Sequence, residues 1–283
     1  MTKHFSKLWM AIVYTFLYMP LVFLIVFSFN SSRQDSIFTG FSFKWYEALP
    51  NDPRIVEGFF LSLNVALISA TLATVIATFA SYSLVRFQKF LGKNLFNSMI
   101  NAPLIMPEVI IGMSLLLFFV GFQKIFGWPN RGELTIVLGH TLLGVAYASV
   151  VIQSRLKEMD KSIEDAAMDL GCFPYQVFFL VTLPNISQSL IAAWLLTFTL
   201  SFDDVVISEF LSGPGVTTLP QVIFSYARRG INPTIYAAAT ILMAIVFVVV
   251  SAYGFKLFNE NKKSSLSIKV SIRSVPSCFN KDI

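Results

Sequence analysis

Glu108, Asp203 and Asp204 fall inside long apolar stretches that offer no basic residue for them to pair with. A carboxylate in such a setting is costly and normally faces a cavity or a partner. A cavity lined by uncompensated negative charge suits a cation. The chemistry on offer is attraction and orientation, not bond making. Plainer readings stand beside this one. Glu108 follows Pro107 and can occupy the N-terminus of a half-helix, where a carboxylate is favoured. Asp203 and Asp204 can lie at an interface or cap the turn after a helix. Successive helical residues point about 100° apart, so on a continuous helix only one of the pair faces a cavity squarely; the expectation is Asp203, with Asp204 structural or at a contact with a partner subunit. His140 reads as a packing histidine. Covalent chemistry has no candidate. Gly92-Lys93 lacks the leading glycine and the Ser or Thr of a phosphate loop, and there is no His-Glu-x-x-His pair or nucleophile elbow. Cys172 and Cys278 show neither metal-ligand spacing nor a disulfide framework. No catalytic residue, metal or bound cofactor is expected.

A second patterned segment runs from Arg155 to Asn185 and is charged rather than apolar. Ser162 with Asp165 three residues on reads as a helix N-cap with an early acid. Gly171 suits the left-handed residue that ends a helix, and Pro174 suits the first turn of the next. The expectation is two short helices meeting at a glycine corner outside the membrane. Ile163, Ala166, Ala167 and Leu170 would form an apolar face on the first. Such a face is of no use to a free-standing loop, whereas docking on a soluble partner needs one.

These residues have to be positioned by membrane-spanning helices. The chain of 283 residues is 55% hydrophobic and only 13% charged, with a mean hydropathy of +0.68, against about a quarter charged in soluble domains. No charge occurs between Lys7 and Arg33, Glu57 and Arg86, Glu133 and Arg155, or Arg229 and Lys256. Each gap can cross a hydrocarbon core with about 20 residues. Six spans are expected, near 8–29, 59–85, 96–121, 135–154, 186–207 and 235–257, the first a retained span rather than a cleaved signal. Fourteen of the 21 Lys and Arg residues fall on the side of the termini, which places both termini and the 155–185 loop in the cytoplasm. The net charge of +5 follows from this bias and does not call for a nucleic-acid partner. Pro103 and Pro107 predict a broken third span. Ala66, Ala70, Ala73, Ala77 and Ala80 predict close helix packing within the chain.

The order Asp165-Ala166-Ala167, three residues, Gly171, nine residues, Val181, one residue, Leu183-Pro184 resembles the coupling motif E-A-A-x3-G-x9-I-x-L-P of ABC importer permeases. It departs from that form only at Asp165 and Val181. Further segments resemble the polyamine importer permeases, the putrescine-type member above all: Leu195–Val206, Gly213–Pro220, Tyr18-Met19-Pro20, Ser28–Ser32 and Ala102–Glu108. The likeness covers about residues 8–258. It implies an all-α, polytopic type I permease with six transmembrane helices and a coupling-helix pair between helices 4 and 5. Residues 1–57 would hold the first helix and a periplasmic loop, 58–257 the importer domain and 258–283 a disordered cytoplasmic tail. The resemblance further implies a bacterial inner-membrane location among lipid. The implied partners are a second homologous permease, a cytosolic ATPase dimer that binds the ATP, and a periplasmic polyamine-binding protein. The coupling role would fall on Asp165, Ala166, Ala167 and Gly171, with Leu183 and Pro184 completing the motif. The same fold with another cationic or amino-acid-like cargo is the alternative. A secondary transporter would need internal repeats, and none is evident.

Overall fold

A computed structural model describes residues 2–32, 38–87, 89–229 and 233–244. In chain order its helices are α1 (Thr2–Ser28), α2 (Lys44–Ala48), α3 (Pro53–Arg86), α4 (Lys93–Ile105), α5 (Glu108–Phe126), α6 (Glu133–Glu158), α7 (Ser162–Asp169), α8 (Pro174–Val177), α9 (Leu183–Asn185), α10 (Ser187–Phe202), α11 (Val206–Leu211) and α12 (Leu219–Arg229). A further apolar helix, α13, covers Pro233–Ala244. Among the described residues the only β pairing is an isolated bridge between Asn30 and Phe41. The fold is all-α and polytopic.

The chain divides into two compact units, one containing α1, α2 and α13 and the other spanning Pro50–Gly230. In the first, α1 carries an apolar window of mean hydropathy 2.3 over Phe5–Ser28. Beyond its end, the Trp45 indole N–H donates to the Asn30 carbonyl at 2.6 Å. Phe29 stacks on Phe41 and Tyr46.

The second unit is built on α3, α6 and α10. Asp52 caps α3 by accepting from the Arg54 amide, with Pro53 at the first helical position, where its missing N–H costs nothing. The alanine stripe Ala66, Ala70, Ala73, Ala77 and Ala80 is buried throughout. It packs inside the chain, as expected: a Cβ added at Gly144 of α6 would lie 2.7 Å from the Ala73 Cβ. Small residues here let two backbones approach without any hydrophobic drive. Two apolar clusters lie along this core. One gathers Val65, Ile111, Ile136, Ile207 and Leu211; the other gathers Ala77, Ala148, Ile152, Leu156 and Ile186.

Four helices are long and apolar enough to cross a membrane, and a fifth crossing is possible if the pair Pro174–Asn185 and Ser187–Phe202, bent by 70°, counts as one. The expected third span, 96–121, is two helices. Met106 adopts an extended conformation (φ −83°, ψ 139°) because the ring of Pro107 disfavours a helical residue before it. Pro103 is carried inside α4, so Pro107 alone makes the break. The expected fifth span, 186–207, also stops early, at Phe202. The sixth, 235–257, begins within α13; its residues 245–257, and the tail 258–283, lie outside the described residues.

Candidate functional site

The early end of α10 is made by Asp204. Its Oδ1 accepts from the Ile207 amide at 3.3 Å and its Oδ2 from the Ser208 amide at 2.8 Å, so the carboxylate starts α11 instead of continuing α10. Asp203 is the residue that closes α10 and is exposed. Asp203 and Asp204 therefore do not share a continuous helix, and the 100° separation of successive helical residues does not decide which of them faces the cavity.

Asp204 is held from a second direction. His140, 5% exposed in the first third of α6, places Nε2 3.1 Å from Asp204 Oδ2 and 3.1 Å from Ser208 Oγ, and Nδ1 2.6 Å from Ser201 Oγ. Ser201 in turn meets Ser69 of α3 at 2.9 Å. A carboxylate can only accept, so in the neutral imidazole Nε2 carries the proton and Nδ1 accepts from the Ser201 hydroxyl. His140 is packed, as expected, but every polar atom of its ring is engaged in a network joining α3, α6, α10 and α11.

Beside this network lies a cavity of about 30 Å³ lined by Glu108, His140, Tyr147, Thr197, Ser201 and Asp204, among others. That is room for about one water-sized group. Glu108, the first residue of α5, thus shares a cavity with Asp204 and not with Asp203. No lysine or arginine lines it. Residue types foreshadowed the acids, but the serines, Thr197 and Tyr147 gave no signal in the sequence beyond being polar within apolar runs.

The second site is the corner between α7 and α8. Gly171 has φ +90°. Its amide donates to Met168 O at 2.9 Å, and the Cys172 amide donates to Ala167 O at 3.2 Å. This pair of bonds is the Schellman closure, which needs a left-handed residue at this position. Pro174 opens α8, and the Gln176 side chain accepts from the Phe173 amide at 2.9 Å. Ser162 is not the N-cap that its type suggested. Asp160 takes that work by accepting from the Ser162 amide at 2.9 Å, and the hydrogen bonds from Ser162 hold its carboxyl below the usual carboxylate range. Ser162 is instead the first residue of α7.

On α7, Ile163, Met168 and the following Leu170 are 46%, 42% and 87% exposed. Ala166 is exposed, and Asp165 and Ala167 are half-buried. Phe173 and Tyr175 stack in parallel, exposed, at 5.9 Å. The buried residue of α7 is an acid, Glu164, which neither its type nor its spacing singles out in the sequence. Its Oε2 lies 2.8 Å from Arg86 Nε, and its Oε1 accepts from the Thr182 hydroxyl at 2.7 Å. Leu183 and Pro184 follow directly, opening the short turn α9 that leads into α10.

Residues 71–261 match the family described as "Binding-protein-dependent transport system inner membrane component". The chain is 51% identical over 237 residues to the "Putrescine transport system permease protein PotI" of Escherichia coli (strain K12), covering 83% of this chain and 84% of that one. It is 36% identical over 262 residues to the "Spermidine/putrescine transport system permease protein PotC" of the same strain, covering 92% and 96%. Among solved structures, it resembles a chain of a bacterial ABC transporter involved in the import of the acidic polysaccharide alginate, with a TM-score of 0.70 at 14% identity, covering 89% and 96%. It also resembles a chain of the MetNI methionine ABC transporter, with a TM-score of 0.59 at 18% identity, covering 74% and 96%. At these identities the structural likenesses speak for the fold.

Proposed function

The chain belongs to the binding-protein-dependent transport system inner membrane component family, and from that membership we propose that it forms, with a second homologous permease, the path of an ATP-driven importer of polyamines, putrescine first among them. The observation that carries the cargo class is the cavity at the α10–α11 break. It is bordered by two carboxylates and by no lysine or arginine, so this stretch of the lining favours a positive group over an anion. The 51% identity to a putrescine permease supports the choice of polyamine.

In this reading a periplasmic binding protein delivers the polycation to the outer mouth. The exposed Asp203 meets an ammonium group first, and Glu108 borders the passage beyond it. Asp204 keeps the path in shape through its bonds to α11 and His140. The chain hydrolyses nothing itself. ATP is bound and split by a cytosolic ATPase dimer, whose surface receives the apolar face around Asp165, Ala166, Ala167 and Gly171. The glycine corner fixes the angle between α7 and α8, and Leu183-Pro184 passes the movement on towards α10. Both termini lie in the cytoplasm, on the side favoured by the lysines and arginines.

Uptake by cells whose only polyamine importer is this assembly tests the proposal. Labelled putrescine should enter, and unlabelled putrescine should compete better than spermidine, with neutral amino acids and anions competing not at all. Competition by an amino acid in place of a polyamine would reassign the cargo.

A further inference from the structure

α7 is built inside out. Its apolar residues Ile163 and Met168 face outward, and Leu170 just beyond them is more exposed still, while the acid Glu164, 4% exposed, points inward. An ordinary surface helix does the reverse. The outward apolar face is accounted for by docking; the inward acid is not. Its two oxygens are used separately, one on Arg86 and one on Thr182. Arg86 is the last residue of α3, and Thr182 is the last residue of the π-helical turn Phe178–Thr182 that precedes α9 and α10. One carboxylate therefore ties three separate pieces of chain: the docking helix, the end of the longest helix in the core, and the lead-in to α10.

The surroundings are packed with aromatic rings. Phe178, buried, stacks on Phe79 and meets Tyr82 edge-on at 4.7 Å. Both of those aromatic residues belong to α3, one and two turns before Arg86. The Arg86 side chain is 10% exposed, and its Nε and Nη2 are buried with no hydrogen-bond partner among the described residues, so it meets Glu164 as an ion pair. Glu164 is the acidic group within ion-pair distance of it. A buried pair of this kind adds little net stability but is very sensitive to the loss of one member. It therefore serves registry between elements better than it serves stability.

We propose that Glu164, clamped between Arg86 and Thr182, is the positioning residue that carries a displacement of α7 into both α3 and α10, so that movement at the docking face reaches the path-lining helices. The proposal rests on the reading of α7 as the ATPase-docking helix. Without the clamp, α7 would follow the ATPase while α3 and α10 lagged behind it.

The test uses the complete assembly with its binding protein in proteoliposomes, reading putrescine transported per ATP hydrolysed. Glu164→Gln keeps the shape and a bond to Thr182 but loses the charge facing Arg86. The ratio should fall roughly fivefold or more, in the range of ordinary coupling energies, while hydrolysis per assembled complex continues. The double variant Arg86→Gln/Glu164→Gln removes the stranded buried charge and carries the test if the single variant assembles poorly. It should assemble and still transport at a reduced ratio. A purely structural role would lower the amount of complex and leave the ratio untouched, so a wild-type ratio in either assembled variant overturns the proposal. A cysteine at Leu170, cross-linked to the ATPase in the otherwise wild-type assembly, separates the two levels. If no cross-link forms, the docking reading itself fails. If it forms and the Glu164 variants transport at the wild-type ratio, the clamp alone fails.

Discussion

At the end of α3, the carboxylate of Glu164 faces a guanidinium 2.8 Å away. At the α10–α11 break, the carboxylate of Asp204 faces an imidazole, two backbone amides and a serine, with Glu108 across the same cavity and no lysine or arginine lining it. Both acids are taken out of bulk water, yet only the first is charge-compensated by its own chain. A compensated pair needs nothing from solution and can act as a rigid joint. An uncompensated pair of acids lowers its energy when a mobile cation arrives. In the proposed reading the two regions divide the labour of an importer: one holds elements in register, and the other keeps the lining of the path acidic.

The contrast breaks most violently at Arg86. Arg86→Ala leaves Glu164 as a buried, unpaired anion, with an expected loss of about 3–5 kcal/mol. Thermal unfolding of the purified assembly should show a sharp fall in stability, or no assembly should be recovered. Wild-type stability would mean that the pair is not buried in the assembly. The next largest effect is at the corner. A Cβ on Gly171 meets nothing within 4 Å, so the cost of Gly171→Val is backbone strain alone, about 1–2 kcal/mol. Insertion should survive while uptake per ATP collapses, and normal transport would remove the corner from the coupling path.

The cargo side should respond more mildly and in a split manner. Asp204→Asn weakens the start of α11 and the bond from His140, about 1–3 kcal/mol, and should show as reduced assembly. Asp203→Asn, at an exposed position, should slow putrescine uptake without changing membrane abundance. If the transport defect falls on Asp204→Asn alone, with assembly intact, then Asp204 and Glu108 form the cation site and Asp203 is a bystander. The smallest perturbation is a topology label. In a background without native cysteines, cysteines at Ser42 and Ser225 should react with an impermeant thiol reagent on intact cells, and one at Ser162 should not. The reverse pattern would exchange the two ends of the path.

Features set by a single residue type were legible in the sequence. Gly171 and Pro174 announced the corner, Pro103 and Pro107 a break in the third span, which Pro107 alone makes, and the alanine stripe its own close packing within the chain. Each is a local steric property that needs no partner to be recognised. The missed features depend on residues far apart in the chain. Nothing next to Phe202 forbids helix; α10 ends because Asp204 is drawn to amides ahead of it and to His140 on another helix. Glu164 looked like any solvated acid on a short helix, and Arg86 like a charge that merely marks a membrane side. Their pairing across 78 positions could not be read from spacing. Asp160 displaced Ser162 as the cap because both residue types serve there and only the backbone decides between them.

Reconstituted transport tests the assignment most directly. The complete assembly, in proteoliposomes with a loaded binding protein outside and ATP available to the ATPase, should accumulate labelled putrescine against its gradient, and the accumulation should stop when ATP is withheld or the ATPase is left out. Accumulation that persists without ATP, or an assembly that hydrolyses ATP and moves another solute while ignoring putrescine, would contradict it.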